Sequence, residues 1–442
     1  MDKQKWIDRA LELGIDGFEI TQSHQRSREV EWFEGTMDSF STSKIISTSI
    51  RALIDGKIVS TALEKVEDDK MDETLNGLKE AALLISESEK DELVPPMETE
   101  MVQSKWKWIE PAVPQILDTL QSLEKKLLAA DPRVTMVNSL GFTSGFGQSQ
   151  MNNSLGVDIQ ESSGIQALFA QITMQEGGDL RDGYVYEIVE NLDDLDQDAL
   201  VQKLIDKVAF QLHAKSLKAQ VCPVIINYEA MSTLLSAFAP MFSGSLIEKG
   251  ISPLSQSLGK QVFSDKITII DDPKNTEAIS LSNYDDEGYP TRTKVVVDQG
   301  VFETILHNTR SAKKMGTTST GNGFKSGGGG TDVSPMNLYI VPGQDSFDTL
   351  LKTMDNGVVI TELAGMHAGI DFVSTNFSLQ AKGYVVENGQ KGRPLTLITI
   401  AGNFLEMMNN IVAVGDDLKW EMRSIASPSI LFASAAIGGT EK

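Results

Sequence analysis

The chain reads as an α+β protein, with an N-terminal α/β domain followed by a β-rich, barrel- or sandwich-like C-terminal domain. Three observations predict this. Helical and alternating apolar periods take turns through the first half of the chain, whereas short apolar runs between Gly-based turns dominate the second. The change falls at residues 215–220, which gives expected domains of 1–217 and 218–442. The length of 442 residues suits two or three domains and a large core.

Each element has its own signal. Trp6, Ile7, Ala10, Leu11 and Leu13 recur at helical spacing, and Gly14 stops that helix. Residues 17–21, 28–33 and 44–53 alternate like strands, and Asp55-Gly56 forms a two-residue hairpin turn. Residues 75–85 return to the helical period and lead into an acidic, Pro-containing connector that ends at Pro96. Residues 116–130 form an amphipathic helix with Pro111 near its start and Asp131-Pro132 at its end. Residues 134–138 and 165–173 are strand-like. Asp196 or Asp198 caps a helix carrying Leu200, Leu204, Ile205, Val208 and Leu212. Beyond the boundary, apolar runs at 221–226, 267–270, 295–297, 338–341, 358–361, 395–400 and 430–433 predict strands, and 405–414 a helix. No internal repeat is visible. Residues 316–331 hold seven glycines and form a mobile loop or, functionally, a substrate-covering flap around Gly327 and Gly328.

Composition narrows the function. Lys plus Arg number 39 against 62 Asp plus Glu, a net charge of −23, which disfavours direct nucleic-acid contact. Residues 105–108 only alternate two lysines with two tryptophans and make no basic patch. One cysteine, Cys222, excludes a disulfide framework or a Cys-rich metal site. The first residues do not read as a signal peptide and no run reaches 18 apolar residues, so the expected location is cytoplasmic with no membrane partner.

Side-chain chemistry is sparse. Of four histidines, His24 and His213 read as solvated. His367 stands out because Gly365 and Gly369 flank it and permit close backbone approach by a ligand or another chain. No Gly-x-Ser-x-Gly elbow supports a serine triad. The Gly316 to Gly321 spacing resembles a phosphate loop but lacks its lysine, and Gly321-Asn-Gly323 misses the dinucleotide spacing. Asp271-Asp272 and Asp285-Asp286-Glu287 suit a hard cation or acid–base work, but ordinary turn chemistry explains them better.

Six segments, in order, resemble the TldD/PmbA family: residues 267–273, 283–292, 335–343, 383–389, 400–404 and 427–430, joined by Val137-Asn-Ser-Leu-Gly141 in the first half. The chain resembles the TldE (PmbA) branch along nearly its whole length, most strongly after Val221. The resemblance implies an N-terminal α/β domain and a β-rich C-terminal domain. In the zinc-bearing TldD branch a helix carries His-Glu-x-x-x-His; the histidines ligate zinc, the glutamate serves its bound water, and a cysteine near the C-terminus completes the site. Here the pattern falls on Tyr228-Glu-Ala-Met-Ser-Thr233: Glu229 remains, Tyr228 and Thr233 replace the histidines, and residues 417–427 hold no cysteine. Tyr and Thr are poor zinc ligands beside imidazole. The resemblance therefore implies no catalytic residue and no cofactor in this chain, with zinc held by a TldD-like metallopeptidase subunit. Its implied partners are that subunit, as a heterodimer, or a second copy as a homodimer, and an unfolded peptide substrate in peptide maturation or antitoxin turnover. The family's older label is modulator of DNA gyrase. The candidate peptide-binding residues are His367, Gly365, Gly369 and Asn376, the last in Thr375-Asn-Phe-Ser378, where the family often carries Gly-Asp-Phe-Ser. Two other readings compete: a self-sufficient hydrolase using His367 or His307 with Asp285 and Asp286, and a protein-binding regulator.

Overall fold

The computed structural model describes residues 2–85, 91–325 and 330–441. Asp2 accepts from Lys5 N (3.2 Å) and so starts α1 (Lys3–Glu12), which buries Trp6, Ile7 and Ala10. Then follow β1 (Gly17–Phe33), β2 (Thr36–Ile54), β3 (Lys57–Leu63) and α2 (Met71–Leu83). The Asp55-Gly56 turn has positive φ at both residues (51° and 76°), as a two-residue hairpin requires. The same sequence of types recurs in α3 (Val113–Ala130), β4 (Val134–Asn153), β5 (Asp158–Glu176), β6 (Asp179–Ile188) and α4 (Gln197–Ala209), which Asp196 caps at Ala199 N.

The six strands form one antiparallel sheet in the order β3-β2-β1-β4-β5-β6. Each α-β-β-β-α unit supplies half of it, and β1 pairs with β4 along the centre. The molecule therefore contains the internal repeat that the sequence does not display. The repeat is one of hydrogen-bonding order and burial, which many different residues satisfy. Helices α1 and α2 cover Phe18, Ile20, Ile50 and Ala52, whereas α3 and α4 cover Leu140, Phe142, Leu168 and Ile172. Because β1 and β4 are antiparallel, the two helix pairs stand at opposite ends of the sheet. Between them no described helix covers the strands, and polar residues are mixed with exposed apolar ones such as Phe40, Ile45 and Ile46. Alternation is lost there, which is why continuous strands of 17 to 20 residues read as separate fragments in the sequence.

The second region begins with β7 (Gln220–Ile226), α5 (Tyr228–Phe238) and α6 (Gly244–Glu248). It continues through β8 (Ile269–Asp271), β9 (Lys294–Asp298), β10 (Val301–Phe302), α7 (Thr309–Lys314), β11 (Gly323–Lys325), β12 (Thr331–Val333), β13 (Leu338–Ile340) and α8 (Phe347–Met354). It ends with β14 (Gly357–Ala364), α9 (Met366–Gly369), β15 (Ile370–Asp371), β16 (Asn376–Glu387), β17 (Gln390–Asn403), α10 (Phe404–Asn409), β18 (Ile411–Val414), β19 (Ile425–Ala426) and β20 (Ile430–Gly438). Residues 411–414 are thus a strand and not the end of a helix: β-branched Ile411 and Val414 pair with β20 after Asn410 leaves the helical conformation.

Strands β14, β7, β20, β17 and β16 pair in turn, and β16 pairs back to β14, closing a five-stranded barrel. Along β7, Val224 and Ile226 join the main core with Leu234 and Phe238 of α5, while Ile225 points the other way, onto Leu350 and Met354 of α8. A second sheet, β10-β9-β8-β13-β19, lies beyond. The two regions meet through Arg51, which bonds Glu19 (3.0 Å) and approaches Glu287 (3.8 Å) with all three groups buried. A connecting segment adds reciprocal bonds between Val102 and Asn283 (2.8 and 2.9 Å) and one from Trp106 Nε1 to Ala278 O (3.0 Å).

Candidate functional site

Helix α5 starts where the central barrel strand β7 ends. Asn227 Oδ1 accepts from Ala230 N (2.9 Å), which leaves Tyr228 and Glu229 in the first turn and Thr233 one turn on. All three are partly buried. Tyr228 Oη donates to Glu421 Oε1 (3.1 Å), and Lys419 Nζ lies 4.8 Å from its ring centre. Burial, then the charges of Glu229 and Glu421, push the phenol pKa far up, so it is a hydroxyl donor and not a phenolate. Arg423 Nη1 donates to Thr233 Oγ1 (3.0 Å) and to Glu229 O (3.2 Å), and its Nε lies 3.8 Å from Glu421 Oε2. One guanidinium therefore touches Thr233 directly and reaches Tyr228 through Glu421. Below it, Ser429 Oγ accepts from Tyr228 N (3.0 Å) and donates to Asp417 Oδ2 (2.6 Å). Burial, then the nearby charges of Glu362 and Glu229, raise the pKa of Tyr184 of β6, so the first region borders this cluster.

These residues do not fit a zinc ion. Tyr228 is a protonated phenol and the Thr233 hydroxyl is already bonded to a cation, and a second cation beside Arg423 would be repelled. Among the described residues, no group of three or more His, Cys, Asp and Glu side chains converges as a metal site.

The other candidates are scattered. His367 is exposed on the one-turn helix α9, and no described carboxylate bonds to it. Gly365 has φ +84° with open space beside it. A Cβ at Gly369 would overlap the Ser378 carbonyl, so the close approach that glycine permits there is to the chain's own β16. Asn376 is exposed at the start of β16 and accepts from Asn403 Nδ2 (3.0 Å). Gly327 and Gly328 lie outside the described residues. His307 is buried, with Nδ1 3.0 Å from Ser311 Oγ, and burial lowers its pKa to about 4.

The acidic runs are turn and core chemistry. Asp285 accepts from the backbone of Glu287, Tyr289 and Gly323 at 2.9–3.0 Å, and burial raises its pKa. Asp271 pairs with Lys294 (2.9 Å) and Asn322 (2.8 Å). The structure thus joins neither His307 nor His367 to Asp285 or Asp286.

A cleft of about 1000 Å³ lies against the middle of the six-stranded sheet, and no functional motif marks it in the sequence. Trp106 and Trp108 line it, stacked with ring centres 5.3 Å apart, as do Phe146, Arg26, Ile45 and Ile46. Arg26 sits 4.9 Å above the Phe146 ring and pairs with Glu110 (2.9 Å). The alternation of Trp and Lys at 105–108 was the available signal: it spaces two aromatic rings so that they stack.

Comparison with known proteins matches residues 219–439 to the PmbA/TldA metallopeptidase C-terminal domain and 106–213 to the central domain of the same family. Metalloprotease PmbA of Escherichia coli O157:H7 is 31% identical over 72% of this chain and 68% of its own length. A Thermotoga maritima protein described as a modulator of a DNA gyrase superposes with a TM-score of 0.88 at 29% identity, over 99% of both chains. TldE from Thermococcus kodakarensis shares the fold with a TM-score of 0.89 at 23% identity, over 99% of this chain and all of its own.

Proposed function

Since the chain belongs to the PmbA/TldD metallopeptidase family, we propose that it is the non-catalytic, TldE-like subunit of a metallopeptidase complex that acts on unfolded peptides. The observation that carries this reading is the Arg423 guanidinium bonded to Thr233 and linked through Glu421 to Tyr228, where the zinc-bearing branch has histidines. Glu229 has no metal-activated water to serve, and its place in the first turn of α5 suits it to the helix dipole. In this reading zinc belongs to a TldD-like partner, the complex is cytoplasmic, and this chain supplies surfaces that hold and orient an extended peptide. Elemental analysis of the purified chain should find far less than one zinc per chain, with no peptide hydrolysis. Adding a TldD-like subunit should produce hydrolysis above that of the partner alone. Tightly held stoichiometric zinc, or turnover by this chain alone, would overturn the reading.

A further inference from the structure

Asp271, Lys294 and Asn322 come from three segments, β8, β9 and the residues just before β11, and meet in one buried cluster. They are 0%, 5% and 0% exposed. Strand pairing sets Asp271 opposite Lys294. Ser334 N donates to Asn322 O (3.0 Å) as β11 begins, which holds Asn322 beside them.

The contacts form a closed set. Lys294 Nζ lies 3.0 Å from Asn322 Oδ1, 2.9 Å from Asp271 Oδ2 and 3.2 Å from Thr320 O. Asn322 Nδ2 donates to the same Asp271 Oδ2 (2.8 Å) and to Ser334 O (3.0 Å). Thr320 Oγ1 lies 2.8 Å from Asn322 Oδ1, closer than its other acceptor, His307 O at 3.1 Å. Met336 N holds the second oxygen of Asp271 (2.7 Å).

An ordinary buried ion pair needs only a cation and an anion. Here one carboxylate oxygen touches both an amine and a side-chain amide, and the amine touches the oxygen of that same amide. Together with the Thr320 hydroxyl these are the parts of an acyl transfer: a nucleophile, an acyl donor, a proton carrier and a donor to the developing oxyanion. Fixing amine and amide in contact turns a collision into an intramolecular step, which lets even an unreactive carboxamide be attacked. Burial keeps out water, the competing nucleophile. It also penalises separated charges, and one proton passed from Lys294 to Asp271 removes both.

We propose that Lys294 and Asn322 form an intramolecular isopeptide bond, a modification that fastens β9 to the chain entering β11. Lys294 first gives a proton to Asp271 and becomes a neutral amine. Its lone pair attacks Cγ of Asn322, and the C=O electrons move onto Oδ1, towards the Thr320 hydroxyl. Asp271 gives its proton to Nδ2 and takes another from Nζ. The Cγ–Nδ2 bond then breaks with its electron pair as the carbonyl re-forms. Ammonia leaves, taking the proton from Asp271 as ammonium. One N–C bond forms, one breaks, and nothing is oxidised or reduced. The proposal is independent of the peptidase reading above.

Intact-mass spectrometry of the purified full chain, denatured and reduced, tests it. The expected mass is about 17 Da below that of the sequence, the mass of ammonia. Trypsin should leave Lys294 uncut and release residues 293–310 joined to residues 315–325. Asp271→Asn keeps the shape of the side chain but carries no proton, and Lys294→Met removes the nucleophile; each should show its full mass. Thr320→Val should slow formation of the bond about a hundredfold, followed as mass loss after a pulse of expression. A wild-type chain at full mass that trypsin cuts after Lys294 would overturn the proposal and leave a buried ion pair only. So would an equal mass loss mapped to another site, such as ring closure at Asn388-Gly389. The wild-type mass and digest decide the matter even where a variant fails to fold.

Discussion

At the scale of single residues, the α5 site depends on how a helix is tied to a distant loop. Arg423 does so with two hydrogen bonds to α5, at 3.0 and 3.2 Å, from a side chain about one-third exposed. Arg423→Ala should therefore destabilise the protein by about 1–2 kcal/mol, read from denaturant midpoints, with the secondary structure unchanged. A cost near zero would mean that water replaces both bonds. His307 sets a pH dependence. Its folded pKa is about 4, below an unfolded value of about 6.5. Between those two values the unfolded chain binds a proton that the folded chain refuses, so stability falls as pH drops from about 6.5 to about 4. Above that window the group contributes no slope. His307→Asn should flatten the curve of unfolding free energy against pH by up to one proton within the window, and a curve parallel to wild type would refute the assignment. That residues 228–233 carry Tyr228 and Thr233 and no histidine was legible in the sequence. Arg423 was not, because its partner is chosen by a loop that folds back across 190 residues.

At the scale of elements, glycine separates positions where freedom is wasted from those where it is required. Gly77 lies exposed inside α2 with open space around its missing Cβ. Gly77→Ala should stabilise the protein by about 0.5–1 kcal/mol through helix propensity alone. Gly383 sits in β16 at a register shift against β14, and a Cβ there would overlap the Val359 carbonyl. Gly383→Ala should cost about 3 kcal/mol or more, because the clash is with backbone inside a closed barrel. Thermal unfolding of the two variants side by side checks both signs. The long helices α1 to α4 were legible to within a few residues, since their apolar stripes repeat every three to four positions, whereas the short helices α6 to α9 were not read. The long strands were legible only at the ends that lie beneath helices, where one face is buried and alternation survives.

At the scale of the molecule, the six-stranded sheet and the barrel-bearing region are joined by charge as well as by apolar contact. Glu19, Arg51 and Glu287 are each no more than 5% exposed, and burial raises the pKa of Glu19 in spite of its arginine partner. Arg51→Met would leave two buried carboxylates facing each other without a cation. It should cost about 3–5 kcal/mol, and adding Glu19→Gln and Glu287→Gln should restore most of the loss. Calorimetry checks this: the single variant should melt lower or in two steps, and the triple variant in one step again. No sequence motif announces this triad, because its members come from three segments that only the folded sheet brings together.

The sequence by itself determined the class of the protein, the identity and order of most elements, the turn at Asp55-Gly56 and the absence of histidine from the α5 pattern. These are local matters: periodicity, propensity and residue identity act within a few neighbours. Only the tertiary structure decided the rest. It decided that two α-β-β-β-α units share one sheet, that five strands close a barrel, and that Trp106 and Trp108 face a cleft. It also decided that Asp271, Lys294 and Asn322 meet in one buried cluster. Each of these depends on which distant segments pair, and pairing is set by the summed burial and hydrogen bonding of the whole chain, which no short window of sequence contains.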